Sequence, residues 1–254
     1  MKETKWIMGM PITIHIVDSQ ATAADISSLF DYFTWVDETF STYKKNSEIS
    51  RINRGLLLSG EYSQDMQSIF ALCEQTKQET QGYFDMFYEG KYDPSGVVKG
   101  WAIQKAYELL LKKEFINFFI DAGGDIQASG KNGHGHPWKI GIRNPFNRQE
   151  HIKVLSIANQ GVATSGTYIR GEHIYDPKED SKFTLPNSRT AKSTIVSLTV
   201  IGPRVLDADR FATAAFAMGE KGIYFIEALE GFEGYMIDEK GTATMTSGFE
   251  KYTI

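Results

Sequence analysis

The sequence predicts an α+β fold of antiparallel sheets with packed helices. Short segments alternate apolar and polar residues, as half-buried strands do, and a few longer segments space their apolar residues as helices do. The strands also come in runs instead of alternating strictly with helices, which favours antiparallel pairing over a parallel βαβ sheet.

Taken in order, "ITIHIV" alternates and reads as a strand with His15 on its polar face, exposed or locally bonded. Residues 21–40 carry Ile26, Leu29, Phe30, Phe33, Val36 and Phe40 at helical spacing. "FSTYKKNSEISRIN" is polar and reads as a loop running into a short helix, and a further helix is expected from Ser63, as cap, to about Gln81. After Gly100, "WAIQKAYELLLKK" places Trp101, Ala106, Leu109 and Leu110 on one side of a helix. "FINFFID" is expected as a strand turned by "AGGD", and "WKIGI", "KVLSIAN", "GVATSG" and "STIVSLTVIG" as further strands. Helices are expected from Asp209 to about Met218 and from Lys221 to Leu229, before strands at "EGYMID" and "TATMTS". The polar stretch from Lys178 to Ser193 is the expected mobile loop.

At 254 residues, with 41% hydrophobic and 23% charged residues, the chain has the apolar content for a large core. It is read as a single domain over residues 1–254. A net charge of −5 without a basic cluster argues against nucleic acid as a main partner. The single cysteine, Cys73, excludes an internal disulfide and a Cys-based zinc site; in the series Met66, Ile69, Phe70, Cys73 it reads as a core residue. No segment reaches the ~18 apolar residues of a membrane span. The start shows no leader-like apolar run or cleavage site, so the chain as written is expected to be cytoplasmic, though a chain trimmed of a leader, and so extracytoplasmic, would read the same.

Three stretches could carry chemistry. In "DPSGVVKGWA", Asp93 and Pro94 turn the chain and Lys99 falls in the first turn of a helix, an arrangement that suits either an anion or a simply capped helix. In "DAGGDI", paired glycines allow a tight turn or close approach of a ligand, flanked by Asp121 and Asp125. In "DADRFATAAFAMG", Asp209 and Thr213 are four apart on one helix face and offer the hard oxygens that Mg²⁺ takes. The plainer alternative is that Asp207 and Asp209 favour a helix N-terminus and Thr213 packs among alanines.

Set in order with "MGM", "FSTYKKNSEISRIN", "FD" and "ATSGTYIRGEHIYDP", these stretches resemble the ApbE family of FAD:protein FMN transferases from Met8 to about Gly219. The resemblance implies a fold related to the T-fold. It also implies Mg²⁺ as cofactor, FAD as substrate, and transfer of FMN to a Thr or Ser hydroxyl of an acceptor flavoprotein with release of AMP. By the same resemblance Met8 and Tyr43 would lie against FAD, Phe84, Asp85 and Asp93 would line its pocket, and Lys99 would sit near its phosphates. Gly96 would offer a carbonyl to the metal, with Asp209 and Thr213 supplying side-chain oxygens. His173 is the implied base for the acceptor hydroxyl, and Ile174 or Tyr175 would touch the flavin nucleotide. Three features depart from the family pattern. Only "MFYEGKY" separates Asp85 from Asp93, Ala212 stands where some members carry an extra aspartate, and "KEDSK" follows the "DP". An FAD pyrophosphatase and a non-catalytic FAD-binding protein remain open as alternatives.

Overall fold

The structure, a computed structural model, describes residues 1–147, 149–166, 175–176, 181–182 and 195–254. Its frame is an eight-stranded antiparallel sheet. The strands are β1 (Lys2–Ile7), β2 (Met10–Ile16), β5 (Phe118–Ala122), β6 (Asp125–Ser129), β9 (Gly161–Gly166), β12 (Ile195–Gly202), β13 (Glu233–Asp238) and β14 (Ala243–Met245), hydrogen-bonded in that spatial order. Three two-stranded ribbons complete the strands: β3 (Phe87–Tyr88) with β4 (Lys91–Tyr92), β7 (Trp138–Arg143) with β8 (His151–Ile157), and β10 (Tyr175–Asp176) with β11 (Ser181–Lys182).

One face of the sheet is covered by helices. They are α1 (Ala23–Phe40), α2 (Glu48–Asn53), α3 (Gln64–Glu79), α4 (Ser95–Lys112), α5 (Val205–Ala217) and α6 (Gly222–Glu227). Phe30 and Phe33 of α1, Ile69 of α3 and Ile103 of α4 share one buried apolar cluster with Ile12 and Ile14 of β2. A second apolar cluster sets Phe216 of α5 and Ile226 of α6 against Leu198 and Val200 of β12. The β7–β8 ribbon brings Trp138, Leu155 and Ile157 into a third cluster with Val162, Ile201 and Ile237. Burial of this much apolar surface is the main stabilising term.

Local chemistry fixes the helix ends. Thr22 and Asp25 form a reciprocal capping box at the start of α1, and Ser47 and Ser63 cap α2 and α3 as single hydroxyl acceptors. The expected helix from Ser63 stops before Gln81, because Gln81 and Gly82 both turn into the left-handed region at φ 54° and 84°. Cys73 is buried as expected, and burial raises its thiol pKa.

Several expectations are corrected. The strand placed over "FINFFID" begins at Phe118, because Asp18 accepts the amides of Ile116 and Asn117 at 2.9 and 2.8 Å and holds them in a loop. His15 lies half-buried against the rings of Phe119 and Trp138, each 5.4 Å away, and burial lowers its pKa. Leu109 is 38% exposed, whereas Trp101, Ala106 and Leu110 are buried. The expected helix at Asp209 begins a turn earlier, at Val205, whose amide donates to Gln127 Oε1 of β6 at 2.7 Å. The helix expected from Lys221 runs only over Gly222–Glu227. Among the described residues no helix is long and apolar enough to cross a membrane. The expected mobile stretch, Lys178 to Ser193, lies outside the described residues except for β11.

Candidate active site

Helices α4 and α5 cross where small residues let their backbones approach. Gly96 and Gly100 lie one turn apart on α4, and Asp209 and Thr213 one turn apart on α5. A Cβ placed on Gly100 would lie 2.8 Å from Asp209 Cβ and 3.0 Å from the Leu206 Cα. One on Gly96 would lie 3.0 Å from the Phe84 ring and 3.2 Å from the Thr213 methyl. The glycines therefore set the distance between the helices, and that distance brings Asp209 onto α4.

Asp209 Oδ2 accepts the Gly100 amide at 2.8 Å, and its Oδ1 lies 3.1 Å from Lys99 Nζ. The same ammonium is paired with Asp125 Oδ2 at the start of β6. The Lys99 side chain is 12% exposed and the two aspartate side chains 3% each. Two carboxylates thus share one ammonium in a dry setting, leaving a formal charge of −1 that favours another cation. Next to them, Asp121 accepts the Gly124 amide at 2.8 Å, while burial, reinforced by the Asp125 charge, raises its pKa.

The remaining expected residues take definite places. Phe84 is buried against Gly96, with its amide donating to Thr80 Oγ1 at 3.1 Å. Asp85 pairs with Lys77 at 2.6 Å and accepts the Phe87 amide at 2.9 Å. Asp93 accepts the Ser95 amide at 3.0 Å, and its own amide donates to the Met86 carbonyl. Met8 forms the β1–β2 turn with Gly9 at φ 56° and 71°, half-buried on the core. Through Met10, which lies against Gly123, this turn sits at the same sheet end as Asp125. Tyr43 stands 95% exposed in the loop after α1, whose last residue, Phe40, packs on Trp101 of α4 at 5.4 Å. The backbone of Tyr175 lies in β10, paired with Lys182. His173 and Ile174 lie outside the described residues.

Two features of this region differ from the sequence reading. Lys99 sits in the second turn of α4, aimed at two carboxylates, and the first-turn amides of Ser95, Val97 and Val98 are already engaged by Asp93 and the Pro94 carbonyl. The helix start is thus engaged locally, whereas Lys99 is not the solvated lysine of the plainer reading. "MFYEGKY" forms the β3–β4 hairpin, turning on Glu89 and Gly90 in the left-handed region. Asn53 of α2 anchors it by exchanging two 2.8 Å hydrogen bonds with the Tyr92 backbone, beside Asp93. Asn53 and Asp125 both build the site, and neither pairing shows in local sequence.

Asp209, Thr213 and the Gly96 carbonyl could together offer an oxygen-only set, the kind Mg²⁺ takes when water and substrate phosphates fill its other positions. Asp209 Oδ2 accepts the Gly100 amide, one turn along α4 from the Gly96 carbonyl. Among the described residues no group of three or more His, Cys, Asp or Glu side chains could hold a metal by itself. A site here therefore depends on hydroxyl, carbonyl and substrate oxygens. Beneath it, buried Arg210 pairs with Asp207 and Glu79 and bonds Thr76 at 3.3 Å, tying α5 to α3.

The chain is 30% identical over 156 residues to the FAD:protein FMN transferase of Escherichia coli (strain K12), covering 61% of this chain and 44% of that protein. With the FAD:protein FMN transferase of Haemophilus influenzae it shares 29% identity over 174 residues, covering 63% of this chain and 48% of the relative. The match thus spans less than half the length of these curated relatives. The fold superposes on the ApbE protein of Thermotoga maritima with a TM-score of 0.85 at 20% identity, covering 100% of this chain and 99% of that one. For the flavin transferase ApbE of Vibrio cholerae the TM-score is 0.82 at 22% identity, covering 99% and 98%. The sequence profile of the ApbE family matches residues 8–90 and 88–236, and the chain belongs to that family.

Proposed function

We propose that this chain is a Mg²⁺-dependent FAD:protein FMN transferase, acting on a Thr or Ser hydroxyl of an acceptor flavoprotein. The observation that supports it most directly is the buried cluster of Lys99, Asp125 and Asp209 beside Thr213 and the Gly96 carbonyl. It carries one negative charge in excess, which a divalent cation bound to substrate phosphates would offset. Family membership and the activity named for the relatives give that cluster its substrate.

In the proposed reaction the acceptor hydroxyl oxygen attacks the FMN phosphorus of FAD. The phosphoanhydride bond to the adenylate breaks, and AMP leaves with the bridging oxygen. Such a transfer asks the protein chiefly for positioning and charge neutralisation. Asp209, Thr213 and the Gly96 carbonyl would hold Mg²⁺, which when bound supplies Lewis-acid stabilisation of charge on the phosphate oxygens. Lys99 contributes a fixed positive charge, and Asp85 and Asp93, held by backbone amides, would line the FAD pocket. His173 takes the proton of the attacking hydroxyl, a task suited to an imidazole with its ordinary pKa of ~6.5.

The test is incubation with FAD and Mg²⁺, with and without an acceptor flavoprotein. AMP should form in equal amount to FMN covalently attached to the acceptor. AMP with free FMN in both arms would replace the transferase with an FAD pyrophosphatase, and FAD left intact in both would indicate a binding protein.

A further inference from the structure

Asp125 lies outside the oxygen set assigned to the cation, yet it shares Lys99 with Asp209. It is 2% exposed and opens β6 directly after the Gly123–Gly124 turn. Its Oδ1 accepts the Thr164 amide of β9 at 3.0 Å, so the carboxylate is fixed to the sheet. The helix holding Lys99 and the helix holding Asp209 both pack over it.

The charge count gives this placement a consequence. If Lys99 had Asp209 as its sole partner, the two would form a neutral buried pair. A divalent cation would then have to displace an ammonium from its own ligand, where low polarity makes the competing attraction strong. A second carboxylate on a rigid strand gives the ammonium another anchor and keeps the net charge at −1. We propose that Asp125 is a positioning residue, which holds Lys99 so that its ammonium can release Asp209 to a divalent cation. This rests on the reading of Asp209 as a metal ligand.

The experiment measures Mn²⁺ binding to the full chain by the electron paramagnetic resonance of the free ion, with thermal unfolding in parallel. In Asp125→Asn the amide oxygen can still accept from Thr164 while the charge is lost. The Mn²⁺ Kd should rise by about tenfold or more, equivalent to about 1.4 kcal/mol. Adding Lys99→Met to that variant should return the Kd to the wild-type value or below, because the competing ammonium is gone. A merely structural role for Asp125 would not be rescued by removing the lysine.

An unchanged Kd in Asp125→Asn, or a weakened one that Lys99→Met does not restore, overturns the proposal. If Asp125→Asn does not fold, Lys99→Met alone decides: it should bind Mn²⁺ more tightly than wild type, and equal or weaker binding overturns the idea. Loss of the metal site itself would look different, with wild type failing to bind Mn²⁺ or Asp209→Ala binding it equally well. That result overturns both the metal assignment and the role given to Asp125.

Discussion

Lys99 shows how a single side chain takes its function from partners far away in the chain. As a residue in "DPSGVVKGWA" it reads as a solvated lysine beside a capped helix, or else as an anion ligand. In the fold it is 12% exposed and held between carboxylates from β6 and α5. That pairing was only partly legible beforehand: Asp209 stood out as a candidate metal ligand, but nothing local connects it or Asp125 to Lys99. His173 is the residue whose assignment rests wholly on resemblance, since it lies outside the described residues. Replacing it with alanine is expected to lower the turnover of FMN transfer by about 10²–10⁴-fold at saturating FAD, the usual contribution of a positioned base. FAD affinity, measured by fluorescence titration, should remain. Lost FAD affinity with normal turnover would assign His173 to binding instead.

Among the elements, the α4–α5 crossing decides whether the site exists. Gly100 in an exposed helix would be improved by alanine by about 1 kcal/mol. Here the new Cβ would meet Asp209 Cβ at 2.8 Å and Leu206 Cα at 3.0 Å, and such overpacking costs about 1–3 kcal/mol. The clash should win, so Gly100→Ala is expected to lower Tm by about 2–6 °C. A raised Tm in a thermal melt would show that the helices are not held apart at this point. Element boundaries were legible where the cause is local, as with the Ser63 cap. They were missed where it is remote: Gln127 sets the start of α5 from 78 residues away. β1 escaped notice because it is a polar, exposed edge strand without the alternation of a half-buried one. The β3–β4 hairpin is too short to show a period.

On the scale of the whole molecule, the sheet is two antiparallel halves joined at the β6–β9 seam, where Ile126 pairs with Val162 and Gln127 with Gly161. The candidate site lies over that seam. Asp125 opens β6, Thr164 of β9 binds it, and α4 and α5 bring Lys99 and Asp209 from the two halves of the chain. Motif order identified the participants, but the strand order that gathers them comes from long-range pairing, which no local periodicity encodes. The central claim is that this seam assembles one phosphoryl-transfer centre around Asp209. Its most direct test is the intact mass of an acceptor flavoprotein after incubation with FAD, Mg²⁺ and either the wild-type chain or its Asp209→Ala variant. The wild type should add one FMN to the acceptor and the variant none, while circular dichroism shows the variant still folded. Undiminished FMN transfer by folded Asp209→Ala would contradict the account.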